Sequence, residues 1–171
     1  MPTAVLISPE EYLHATYEPD AEYVDGIVEE RCMGEYDHGN WQQALLIWFH
    51  TKAKEWNIRT IPELRVQVSA TRFRVPDVTV MDRDQPIEQI LTHPPLAIVE
   101  ILSPEDKITR VLTKLADYER MGVRTILVID PATRQFHRYE QGNLQLLREE
   151  SVAIAGSAAK VEWRGVEALL D

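Results

Sequence analysis

The sequence is poor in the features that classify a protein most quickly. It has one cysteine, Cys32, which excludes an internal disulfide, and it has no Cys/His spacing of the kind that binds structural zinc. No run of about 18 apolar residues occurs, so no segment reads as a membrane-spanning helix. The opening MPTAVLISPEEY has neither the basic start nor the long apolar stretch of a secretion signal. The cytoplasm is therefore the expected compartment, and no membrane is expected as a partner. Positive charge is scarce as well: 18 Lys and Arg stand against 28 Asp and Glu, a net charge of −10. Coating nucleic acid electrostatically draws on Lys and Arg, so that function class is disfavoured.

What is present suits an ordinary globular protein. Hydrophobic residues make up 44% and charged residues 27% of 171, enough to bury one substantial core, and a single domain over residues 1–171 is expected. The charge is unevenly spread. Eight acids and no Lys or Arg precede Arg31, whereas Lys107 to Arg148 holds eight Lys or Arg against four acids. This is compatible with one positively charged face and equally with an ordinary solvated surface.

Ser8-Pro9-Glu10-Glu11 reads as a helix start, with Ser8 as N-cap and Glu11 closing a capping box. That helix is expected to fray before Pro19. Asp25-Gly26, between Glu22-Tyr23-Val24 and Ile27-Val28-Glu29, is a two-residue hairpin signal. A helix is predicted from Asp37, as N-cap, to about Trp56. Trp41, Ala44, Leu45, Trp48, Phe49, Ala53 and Trp56 recur on it at spacings of three and four; its tryptophans suit core filling better than base stacking.

The period then changes to two. Arg59 to Ser69 and Phe73 to Met81 read as strands around a turn at Ala70-Thr71-Arg72. Leu96 to Leu102 is apolar apart from Glu100 and reads as a strand buried on both faces. A helix over Lys107 to Met121 carries the stripe Ile108, Val111, Leu112, Leu115 and Tyr118, closed by Gly122. Thr125 to Ile129 is another buried strand, so strand, helix and strand form a crossover with a parallel pair inside a mixed sheet. Further strands are expected at Gln135–Glu140 and Leu144–Arg148, then a last strand and a helical turn through Trp163 to Leu170. The class is α/β with a mixed β-sheet flanked by helices.

Two residues are out of place in this pattern. Glu100 lies in Leu-Ala-Ile-Val-Glu-Ile-Leu, where an unpaired charge is too costly to bury; a raised pKa, a cationic partner or a metal ion would resolve it. Asp77 lies in Phe73-Arg74-Val75-Pro76-Asp77-Val78, a strand that Pro76 confines to an edge, a start or a bulge. Two acids on adjacent strands can hold one hard cation such as Mg²⁺. A structural ion pair, for example of Asp77 with Arg72 or Arg74, explains the pattern equally well. Lys107 and Lys114, seven residues apart, both sit at the margin of the helix stripe, where a lysine either leans over the sheet or snorkels at the core boundary.

These residues carry a resemblance. Val75-Pro76-Asp77-Val78, Val99-Glu100-Ile101-Leu102-Ser103-Pro104, Lys114-Leu115-Ala116-Asp117-Tyr118, Gly122-Val123 and Val128-Ile129-Asp130-Pro131, in that order, resemble the bacterial Uma-type restriction endonuclease family. That family is a branch of the PD-(D/E)XK nuclease superfamily. Glu22-Tyr23-Val24-Asp25-Gly26, His38 and the segment near Trp163 also fit, so the similarity spans nearly the whole chain. The resemblance implies a restriction-endonuclease-like core with Asp77, Glu100 and the Ile101 carbonyl as metal ligands and Glu22 as a further acid. The superfamily lysine two residues after the second acid is Leu102 here, and the resemblance implies Lys114 in its place, with Lys107 the weaker alternative. His38 is implied to lie near the site.

The expected activity is metal-dependent hydrolysis of DNA phosphodiester bonds with Mg²⁺ or Mn²⁺. The alternative is a nucleic-acid-binding or assembly module that keeps the nuclease fold with little catalysis, favoured by the missing lysine and the charge of −10. DNA is the expected partner, and a homodimer is expected only by analogy with nucleases that cut both strands.

Overall fold

The computed structural model describes residues 5–32 and 34–171. Helix α1 (Pro9–His14) begins with the capping box: the Glu11 N–H donates to Ser8 Oγ at 3.1 Å and the Ser8 N–H to Glu11 Oε2 at 2.7 Å. Strands β1 (Ala21–Val24) and β2 (Ile27–Glu30) form the expected hairpin, with Asp25 and Gly26 both at positive φ (49° and 95°), as a turn matching the strand twist requires. Helix α2 (Tyr36–Thr51) starts earlier than predicted, with Glu35 as N-cap and Asp37 in the first turn. It also ends earlier: Ala53 and Trp56 continue its buried stripe in a tight turn rather than a helix.

The two long strands predicted next are both broken. Residues 59–69 divide into β3 (Ile58–Pro62) and β4 (Val66–Ser69), and residues 73–81 into β5 (Arg72–Arg74) and β6 (Val78–Asp82). Strands β4 and β5 pair with the N-terminal hairpin in a four-stranded antiparallel sheet, while β3 and β6 join a six-stranded one. Both segments cross between the sheets side by side, the Glu63 N–H donating to the Asp77 carbonyl at 3.4 Å. One crossing has Glu63 at φ 52°; the other is Val75-Pro76-Asp77, where proline has no N–H to continue a ladder.

Strand β7 (Ala97–Ile101) is buried along its whole length, and α3 (Ile108–Met121) follows, ending on Gly122 at φ 108°. Strand β8 (Thr125–Asp130) lies parallel to β7, so the predicted crossover is present. Strands β9 (Gln135–Glu140) and β10 (Asn143–Leu146) complete the six-stranded sheet, in the order β10-β9-β8-β7-β6-β3. The tail holds one strand more than expected: β11 (Ser151–Ala153) pairs with β12 (Lys160–Glu162) before α4 (Trp163–Glu167). Among the described residues no helix is long and apolar enough to cross a membrane.

Strand alternation divides the core. Ala97, Val99 and Ile101 of β7 point into a large apolar cluster with Trp41, Leu45 and Phe49 of α2 and Val152, Val161, Trp163 and Val166 of the tail. Ile98 points the other way, into a smaller cluster with Val111, Leu115 and Tyr118 of α3. Trp41 and Trp56 are core, as expected, while Trp48 is half-buried and donates its indole N–H to the Lys160 carbonyl at 2.9 Å. By the two-residue period Glu100 shares the α3 face with Ile98. Its environment is therefore set by that helix.

Candidate active site

The break at residues 75–77 is the structural origin of the site. In a continuous strand the backbone groups of Val75 and Asp77 would be consumed by the ladder. Here the Val75 N–H donates to Glu22 Oε1 at 3.0 Å, and the Val75 carbonyl accepts from Lys114 Nζ at 3.2 Å. The Asp77 carbonyl accepts from Gln42 Nε2 at 2.9 Å. The Asp77 side chain turns inward, and its Oδ2 accepts the Ile101 N–H at 2.7 Å. Four elements therefore meet at one backbone irregularity: β1, α2, β7 and α3.

Glu22, Asp77, Glu100, Ile101 and Lys114 line one cleft of about 60 Å³, together with Arg31, His38, Asp106 and Arg110. The residues implied by the resemblance are thus brought together. Lys114, one turn before Tyr118 on α3, places its ammonium 2.8 Å from Glu22 Oε1 and 3.0 Å from both Glu100 oxygens. The Tyr118 hydroxyl donates to Glu100 Oε1 at 2.6 Å. Lys107 is the exposed N-cap of α3 and does not line the cleft. His38, in the first turn of α2, has Nε2 3.2 Å from Asp77 Oδ1.

Asp77 does have an arginine partner, but not one of the two anticipated. Arg31, just past β2, donates from Nη2 to Asp77 Oδ1 at 2.9 Å. Arg72 instead pairs with Asp25 and Asp117. Arg74, 1% exposed, donates from Nε and Nη2 to Asp117 Oδ2 at 2.8 and 2.6 Å and from Nη1 to Glu22 Oε2 at 3.0 Å. This buried Asp117–Arg74–Glu22 chain stands behind the cleft and fixes Glu22. Its only sequence signal is Asp117, an acid three residues from Lys114 on a helix that buries Leu115 and Tyr118. Arg31 carried a weaker one, as the first base after eight acids.

The electrostatics separate the three carboxyls. Burial pushes Glu22 up, but the Lys114 ammonium, the Arg74 guanidinium and the Val75 N–H outweigh it and hold it below its ordinary value. Burial is likewise outweighed at Asp77 by the His38 hydrogen bond, Lys114 and the Ile101 N–H. At Glu100 burial wins: Lys114 offsets it only in part, the charges of Asp77 and Glu22 add to it, and the carboxyl is pushed up to about 8. The hydrogen bond to Asp77 raises the His38 imidazole against the opposing effect of its burial. One ammonium serves both Glu22 and Glu100, so Glu100 is the acid left short of positive charge.

That shortfall fits a hard cation. Asp77 and Glu100 offer oxygen donors at one cleft, and a divalent ion would supply the charge that a proton otherwise supplies to Glu100. Among the described residues no group of three His, Cys, Asp or Glu side chains is arranged to hold a metal by itself. An ion would accordingly take two carboxylates, the Ile101 carbonyl and waters, a set typical of Mg²⁺.

The model of the Uma2 family, described as "Putative restriction endonuclease", matches residues 9–163. No curated protein matches the chain. Among solved structures, the chain is similar to a "putative nuclease belonging to DUF820" from Anabaena variabilis ATCC 29413, with 21% identity and a TM-score of 0.80. That match covers 96% of this chain and 99% of the other. A cryo-EM DrdV–DNA complex matches more distantly, with 19% identity and a TM-score of 0.42 over 75% of this chain and 10% of that one. The first of these likenesses shows a restriction-endonuclease-like fold, and with the family model spanning most of its length, the chain belongs to the Uma2 restriction endonuclease family, a membership that supports a nuclease function.

Proposed function

We propose that the protein is a metal-dependent endonuclease that hydrolyses phosphodiester bonds of DNA. The observation that carries this reading is the pairing of buried Asp77 and Glu100 at one cleft, with Glu100 short of compensating charge. Asp77, Glu100 and the Ile101 carbonyl would hold Mg²⁺ or Mn²⁺. Such an ion, when bound, lowers the pKa of a water and polarises the phosphate. The residues themselves do the rest. His38 and the Ile101 N–H orient Asp77, Tyr118 orients Glu100, and Lys114 keeps Glu22 and Glu100 together while offsetting their charge. Buried, hydrogen-bonded carboxylates of this kind are held in the productive geometry before substrate arrives.

The test is cleavage of plasmid and single-stranded DNA with Mg²⁺ or Mn²⁺ by wild type, Asp77→Ala and Glu100→Ala. Wild-type cleavage reduced about 10³-fold in each variant is expected, given several kcal/mol of charge stabilisation at 1.36 kcal/mol per tenfold. Activity that survives both substitutions would assign the reaction to another site.

A second reading is a binding or assembly module built on the nuclease fold. The net charge of −10 favours it, and so does the engagement of Asp77 and Glu100 by protein partners. Nucleic-acid binding by wild type with no cleavage in either metal would select it.

A further inference from the structure

We infer that Arg31, and not Lys114, is the side chain that contacts the scissile phosphate. The inference rests on the endonuclease reading above and follows from counting hydrogen-bond donors. An ammonium has three N–H donors and no acceptor. Lys114 faces three acceptor groups: Glu22 Oε1 at 2.8 Å, the Glu100 carboxylate at 3.0 Å and the Val75 carbonyl at 3.2 Å. Where an ion takes Glu100, the Glu22 carboxylate, at 1% exposure, and the Val75 carbonyl still hold the ammonium, and buried Glu22 would lose a charge partner if it moved. Lys114 is committed to the protein.

Arg31 is placed differently. A guanidinium has five N–H donors in a planar fork that matches phosphate oxygens. Among the described residues its side chain meets only two groups. These are Asp77 Oδ1, 2.9 Å from Nη2, and Glu63 Oε1, 3.4 Å from Nη1. Glu63 is half-exposed, so that second contact is weak. Arg31 lines the same cleft as Asp77 and Glu100 and retains donors for an incoming anion.

The other cations near the cleft are poorer choices. Arg110 is drawn back to the Glu30 carbonyl at 2.8 Å and toward Glu29, and Lys107 lies outside the cleft. A phosphodiester entering here meets Glu22, Asp77, Glu100 and Asp106, so it needs a cation with donors to spare. Arg31 exchanges partners in this scheme. With Asp77 committed to an ion, its Nη2 is released to a non-bridging phosphate oxygen, adjacent to the attacked phosphorus. In the reaction a water oxygen bonds to phosphorus and the bond from phosphorus to the leaving sugar oxygen breaks. The water gives one proton to solvent, the leaving oxygen takes one from solvent, and Arg31 stabilises the charge that grows on the phosphate in between.

The experiment compares wild type, Arg31→Ala and Arg31→Lys by two readouts: cleavage of a duplex oligonucleotide at saturating Mn²⁺, and calorimetric Mn²⁺ binding without DNA. Arg31→Ala is expected to cut on the order of 100-fold more slowly, with Arg31→Lys between it and wild type. Mn²⁺ binding by Arg31→Ala is expected to match or exceed that of wild type, because Asp77 loses a competitor. Cleavage by Arg31→Ala within about threefold of wild type overturns the assignment. So does Mn²⁺ binding weakened in proportion to cleavage, which would make Arg31 a support of the metal ligands. An inactive wild type instead overturns the endonuclease reading, and the Arg31 role with it.

Discussion

The two faces of β7 solve different problems with neighbouring residues. Ala97, Val99 and Ile101 enter a large apolar cluster closed by α2 and the C-terminal segment. On the other face, Ile98 packs against Val111, Leu115 and Tyr118, and two positions away Glu100 meets Lys114 and the Tyr118 hydroxyl. The apolar face gains stability from burial, which is non-directional and tolerates substitution if volume is kept. The charged face gains little from its ion pairs once desolvation is counted, and its value lies in holding defined geometry. A single strand can thus be scaffold on one side and site on the other. The site draws on the N-terminal sheet, the strand break, α3 and the first turn of α2, and on β7 itself through Glu100 and the Ile101 backbone.

Substitutions on each face should separate these roles. Phe49→Ala, in the fully buried part of the α2 face, should lower unfolding free energy by about 3–5 kcal/mol in a denaturant titration. Its activity per folded molecule should stay near wild type. A matching loss of specific activity would show that the two faces are coupled.

On the charged face, Glu100→Gln should change how metal-free stability depends on pH. Folding raises this carboxyl from 4.5 to about 8, so the native state binds the proton more tightly than the unfolded chain does. The stability this contributes is fully present below about pH 4.5 and is lost as pH rises through about 8. The variant keeps a neutral group throughout. Its melting temperature should therefore gain on wild type steadily between pH 5 and 8, as followed by circular dichroism. A constant difference across that range would mean that Glu100 ionises normally.

The smallest effect is expected at Lys107, exposed at the start of α3. Lys107→Ala should leave cleavage within about twofold and stability within about 0.5 kcal/mol. A large loss of cleavage would restore Lys107 as a site residue.

Much of this organisation was legible in the sequence. The α1 capping box, the Asp25-Gly26 hairpin, the buried β7 and the β7–α3–β8 crossover all follow from local rules of period and capping. Asp77 and Glu100 stood out because a carboxylate is expensive in an apolar strand. The broken strands were not legible, since the alternating pattern of residues 59–69 and 73–81 continues across the point where each chain passes between sheets. Pro76 was the one local sign. The additional strand of the β11–β12 pair was missed for a related reason, as three-residue strands carry too little pattern to be distinguished from loop.

By itself, then, the sequence determined which residues had to be buried and which buried residues needed a partner, because burial follows from periodicity and cost from residue chemistry. It did not determine the partners. Arg31 and Asp77 are 46 positions apart, Arg74 and Glu22 are 52, and Arg72 and Arg74 were equally good candidates for Asp77 on sequence grounds. Only the tertiary structure decided that Arg74 turns to Asp117 and Glu22 while Arg31 takes Asp77. Ion pairs across a fold depend on which elements the sheets bring together, and one carboxylate has no local preference among arginines.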